Sequence, residues 1–141
     1  MLSWNEYLKK GIVRRMSLDK NIIISLVKTA KEGIEFFEKD AVTDKNARTL
    51  FKNYYDSLRE ICEAVALSKG YKIYQHEAIT SFLKDTLNEN IISLKFDRFR
   101  ILRNGIHYYG KTITKEETLK FIQNIKEIIK ILVQKYLKEY L

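Results

Sequence analysis

The stretch ARTLFKNYYDSLREICEAVALSKG, residues 47–70, decides the fold. Ala47, Leu50, Phe51, Tyr54, Leu58, Ile61, Cys62, Val65 and Ala66 recur every three or four residues, the period of an α-helix that turns one face to a core. Thr43 or Asp44 suits the N-terminal cap and Gly70 the C-terminal stop. The spacing therefore predicts a long central helix, against which the flanking segments must pack.

Upstream, Ile22, Ile23, Leu26, Val27, Ala30, Ile34 and Phe37 keep the same period and predict a helix from Leu18 to about Lys39. Ser3 and Glu6 form a possible capping box for a short first helix ended by Gly11, with Trp4 and Leu8 on its apolar face, so residues 1–15 read as an extension. Downstream, Tyr71 to Gln75 reads as a connection, and His76, Glu77, Ile79, Phe82 and Leu83 open a shorter helix that weakens near Asn88. A further helix starts at Ile91 or Ile92 and stops at Gly110. The last begins at the Thr114-Lys115-Glu116-Glu117 capping box and carries Leu119, Ile122, Ile125, Ile129, Leu132, Tyr136 and Tyr140 as its apolar stripe, widened by Phe121, Ile128 and Ile131. With no proline and only five glycines there is little hairpin punctuation. The expectation is an all-α fold, an antiparallel bundle of four to five helices, with residues 1–141 forming one domain.

Composition narrows the function. Cys62 is the only cysteine and falls within an apolar helical pattern, so a buried thiol is favoured over a nucleophile, and an intrachain disulfide or a zinc cluster is excluded. No glycine-rich phosphate loop is present, which argues against an ordinary NTPase. Asp56, Glu60 and Glu63 lie at helical spacing but lack the histidine support of a metal site, and the residues call for no cofactor. The N-terminus lacks a signal-peptide block and no run has the length of a membrane span, so a soluble, cytoplasmic protein is expected. The net charge of +8, from 26 basic and 18 acidic residues, favours polyanions, although a solvated lysine-rich face explains it equally well.

The chemistry-bearing residues cluster in FRILRNGIHYYG, residues 99–110. At about 100° per residue, Arg100 and His107 fall roughly 20° apart around the helix and Arg103 roughly 60° from Arg100. Phe99, Leu102, Ile106 and Tyr109 form a separate apolar stripe centred about 110° away. The trio can thus face one cleft while the helix packs on a core. The blander reading is a pair of surface residues neutralised by carboxylates, and Asp97, three residues before Arg100, is placed to provide one. His76 beside Glu77 reads as a capping or structural residue.

An all-helical chain with Arg100, six intervening residues and His107, and with an Arg103-Asn104 pair before His-x-Tyr, resembles the HEPN superfamily of small helical domains. Arg100 fits the family's Arg-to-His spacing, whereas Arg103-Asn104 looks like its frequent Arg-polar pair, so either is a candidate for the motif arginine. The segments Tyr54-Tyr55-Asp56-Ser57-Leu58-Arg59-Glu60 and Gly70 to Ala78 are similar to the central helix and following turn of archaeal-type members. The resemblance implies a homodimer in which both motifs meet in a cleft. It implies one of two functions: metal-independent RNA cleavage of the toxin–antitoxin kind, or a non-catalytic subunit that binds nucleotide or a nucleotidyltransferase partner. In the first, His107 is the base, Arg100 or Arg103 grips phosphate oxygens, and Asn104 orients substrate or imidazole. In the second, Tyr109 occupies the position such a partner modifies. A third reading is binding of RNA or DNA through lysines without chemistry.

Overall fold

The computed structural model describes residues 1–141 and is an all-α bundle, about 72% helical. The elements are α1 (Trp4–Lys9), β1 (Val13–Arg15), α2 (Lys20–Phe37), α3 (Ala47–Ser68), β2 (Tyr71–Ile73), α4 (Glu77–Ser81), a π-helical turn (Phe82–Thr86), α5 (Asn90–Tyr109), α6 (Lys115–Tyr136) and a closing 3-10 turn (Lys138–Tyr140). Four long helices, α2, α3, α5 and α6, carry the architecture. No helix is long and apolar enough to cross a membrane.

Helix α3 is the hub. Leu50, Phe51, Tyr54, Tyr55, Leu58, Ile61, Cys62, Ala64, Val65 and Ala66 are all buried, so its apolar face extends around most of the helix, as a rod flanked on several sides requires. Helices α2 and α6 lie along it, and α4 and α5 cover the remaining side. One cluster of 35 buried residues joins all of them. Between α3, α5 and α6, the rings of Phe51, Phe99 and Phe121 meet edge to face at 5.7–6.2 Å, a geometry that aligns ring edges with ring faces.

Several local readings change. Tyr71 to Gln75 is not a plain connection: Tyr71–Ile73 pairs antiparallel with Val13–Arg15, with Val13 opposite Ile73 and Arg15 opposite Tyr71. Val13 and Ile73 are buried, while Arg14 lies over the Tyr74 ring and Arg15 over Tyr71. Three residues per strand are too few to establish an alternating pattern, so this ribbon leaves no periodic signal. Gly70 takes φ +89°, a region costly for other residues, and its carbonyl accepts from Met16 N at 2.8 Å to start the pairing.

Neither Thr43 nor Asp44 caps α3. Asn46 precedes it with no side-chain cap bond, and Asp44 instead accepts from the Lys115 amide at 2.8 Å, so a carboxylate read as the start of one helix secures the start of another. The capping boxes at Ser3 and Thr114 form as expected. On α6, Leu119 and Ile131 lie outside the core, whereas Ile122, Ile125, Ile128, Ile129, Leu132 and Val133 enter it.

Candidate functional site

Helix α5 positions the residues in question. Its N-terminal half is pinned by Ser93, whose hydroxyl donates to the Thr80 carbonyl at 2.9 Å, and by Glu89, which accepts from Lys135 and Tyr136 of α6. Burial alone would raise the Glu89 carboxyl, but these two donors outweigh it and hold the group below its ordinary range. At the other end Gly110 adopts φ +64° and the Lys111 amide returns to the Gly105 carbonyl, which stops the helix within a residue. Ile106 is the last buried residue of α5, so His107, Tyr108 and Tyr109 project beyond the core.

The five residues named from sequence divide among three places. Arg100 is half-buried and gives both Nε and Nη2 to one oxygen of Asp97, at 3.0 and 2.9 Å; the Thr80 hydroxyl donates to the same oxygen at 3.0 Å. This is the ion pair that the spacing allowed, reinforced from α4. Arg103 turns toward the core: its Nε is buried and has no partner within the chain. His107 is exposed, its ring edge-on to Tyr108 at 4.6 Å. Tyr109 lies on the other side of α5, in a groove of about 620 Å³ toward α6 lined also by Arg98, Gly105, Lys111 and Phe121, and Asn104, about 40° from Arg100 around the helix, forms its near edge. Tyr109 is 86% exposed, so it is not part of the buried stripe with Phe99 and Ile106.

Within one protomer the trio and the groove are roughly 150° apart around α5. The cause is visible in the burial pattern. Phe96, at nearly the same angular position as Arg103, is fully buried, so the helix packs along the edge that carries the arginines, and their stems run beside the core.

Arg100 and Arg103 instead meet residues that the sequence did not join to them. His76 is half-buried just before α4, makes no cap bond, and stands 6.2 Å from the ring of Tyr55. Burial first, then the charges of Arg59, Arg103 and Arg100, lower its imidazole to about 4, so the ring is neutral at physiological pH. Tyr55 stacks on Phe96 at 5.7 Å, and its fully buried hydroxyl has no partner; burial raises it despite the same three arginines. Arg59 reaches Glu63 at 3.1 Å and Asp56 at 3.9 Å. Tyr55 and Arg59 share a face of α3 by their four-residue spacing, the one hint available in sequence. Cys62 is buried and its thiol is pushed up by that burial, a poor nucleophile.

The arrangement offers an exposed imidazole, a pre-oriented guanidinium and an unpaired one along a single helix, and around that helix a separate groove with aromatic, amide and cationic walls. No protein-family model, curated protein or solved structure matches this chain.

Proposed function

We propose that the chain is a HEPN-type RNA-directed protein, a metal-independent endoribonuclease of the toxin kind that works as a cytoplasmic homodimer. The observation that carries this reading is the solvent-exposed His107 at the end of α5, on the same side of the helix as Arg100 and Arg103. His107 takes the proton of a ribose 2′-hydroxyl, the 2′-oxygen bonds to the adjacent phosphorus, and the bond from phosphorus to the 5′-oxygen breaks. The leaving oxygen collects a proton, and a 2′,3′-cyclic phosphate remains. Arg100 spends one edge on Asp97 and keeps donors for the phosphate, while Arg103 has no competing carboxylate bond. Asn104, at the edge of the groove nearer the motif, with Tyr109 and the cations Arg98 and Lys111 beyond it, gives the strand a place to continue around α5.

Arg100 and His107 are two turns apart, about 10.5 Å of axial rise, more than one phosphate spans. A second protomer resolves this by bringing its His107 or Arg100 to the partner's motif. The test is labelled RNA with wild type, His107→Ala and Arg100→Ala. General acid–base catalysis is worth about 10²–10⁴-fold, and loss of that order is expected for His107→Ala. No cleavage by wild type, or cleavage by both variants as fast as by wild type, refutes the reading.

The second reading, a non-catalytic subunit for a nucleotidyltransferase, is favoured by one feature: Tyr109 stands 86% exposed, with its hydroxyl open to a modifying enzyme. Retention of a labelled nucleotide on wild type but not on Tyr109→Phe, in the presence of such a partner, would establish it.

A further inference from the structure

Where α3, α4 and α5 meet, the chain gathers more donors than it uses. Arg59 and Arg100 are held by carboxylates, Arg59 by Glu63 and Asp56 and Arg100 by Asp97. Arg103 has none, and its Nε is buried without a partner. The Tyr55 hydroxyl is likewise buried and without a hydrogen bond, and Arg59 Nε, also unbonded, has only Asp56 at 3.9 Å. His76, half-buried over the Tyr55 ring, completes the group. A buried donor left unpaired is costly, and three such atoms gathered in one corner call for a partner.

We propose that this corner is an oxyanion site that takes a phosphate group, held by Arg103, Arg59, His76 and the Tyr55 hydroxyl. A tetrahedral phosphate presents several oxygens at once and can accept from donors that converge from three helices, which a planar carboxylate cannot do as fully. The surrounding carboxylates fix the geometry. Asp97 anchors Arg100, and Glu63 and Asp56 anchor Arg59, which leaves Arg103 free for the ligand. Glu60, half-buried and next to Arg59 in sequence, has its carboxyl raised by burial and one oxygen buried without a hydrogen bond. Glu77, the first residue of α4, is the remaining acidic neighbour in sequence. An anion here would offset the three guanidinium charges that act on His76, giving the imidazole a spectroscopic response.

The site shares Arg103 with the proposed cleavage motif but not His107, so phosphate binding here is separable from RNA cleavage through His107. Its test is an NMR titration of the full chain with inorganic phosphate, following the His76 ring against a chloride control of equal ionic strength. Saturable shifts of His76 are expected in phosphate alone, with its titration midpoint moving up toward the ordinary histidine range. Arg103→Gln should weaken binding roughly tenfold, the worth of one charged hydrogen bond. Tyr55→Phe, which deletes only an unpaired oxygen and so keeps the fold, should weaken it about threefold or more. His107→Ala should bind phosphate like wild type even where it has lost cleavage, which separates this site from the nuclease reading. Competition assigns the source: displacement by a 5′-phosphorylated RNA oligomer only points to a terminal phosphate, displacement by the unphosphorylated oligomer as well to the RNA backbone, and displacement by neither to free phosphate. If phosphate moves His76 no more than chloride does, or if Arg103→Gln and Tyr55→Phe both bind as wild type, the site does not exist.

Discussion

His76 ties a single side chain to the stability of the whole fold. An unfolded chain protonates this imidazole near its ordinary 6.5, the folded chain only near 4, because burial and then three arginines oppose the charge. As pH falls, the unfolded form therefore binds the proton first. The contribution is fully present above about pH 6.5 and is lost progressively toward pH 4. Urea midpoints at pH 7 and pH 5 should fall more for wild type than for His76→Gln; parallel behaviour of the two proteins would show that the imidazole is not held neutral. At this scale the sequence was legible only where partners are near in the chain. The Arg100–Asp97 pair follows from a three-residue spacing. The company of Arg59, Tyr55, His76 and Arg103 does not, because it depends on how α4 is laid across α3 and α5. Of the five residues proposed from the α5 segment, Arg100, Arg103 and His107 were joined by helical angle, and Asn104 and Tyr109 by their place in the motif. Angle places Arg100, Arg103 and His107 on one side but does not reveal that Arg103 is turned inward while His107 lies past the end of the core.

Elements with strong period and clear caps were readable, and their energetics can be checked. The Thr114 side chain accepts from Glu117 N at 3.1 Å and Glu117 returns a bond to the Thr114 amide. Thr114→Ala should cost about 1 kcal/mol in urea denaturation. Phe99 sits between Phe51 and Phe121, so Phe99→Ala should cost about 3–5 kcal/mol by lost burial and the cavity it leaves. A cost for Phe99→Ala no larger than for Thr114→Ala would mean that α5 is not seated on α3 and α6 as described. What escaped the sequence reading at this scale has physical causes. Each strand of the β1–β2 ribbon has three residues, and the π-helical turn at Phe82–Thr86 continues α4 with a wider winding that the 3.6 period does not anticipate. Leu119 and Ile131 match a helical stripe in sequence yet face outward, since the width of α6's buried face is set by its packing on α3 rather than by α6 itself.

Taken whole, the molecule is a basic helical bundle with its chemistry-bearing groups around one end of α5. A net charge of +8 on 141 residues raises the local concentration of polyanions but selects none, so the class of substrate rests on the site. The all-α architecture followed from composition and period. Division of the candidate residues between a groove, an exposed helix end and a buried arginine corner did not, because packing decides which side of α5 faces the core. The proposal that His107 is the base for RNA cleavage through the 2′-hydroxyl is decided by the mass of the fragments released from a defined RNA in the presence of a metal chelator. A 5′ fragment ending in a 2′,3′-cyclic phosphate is expected, absent with His107→Ala and absent when the ribose at the cleaved position lacks its 2′-hydroxyl. Fragments ending in a free 3′-hydroxyl, or an intact RNA with the wild-type protein, would contradict it.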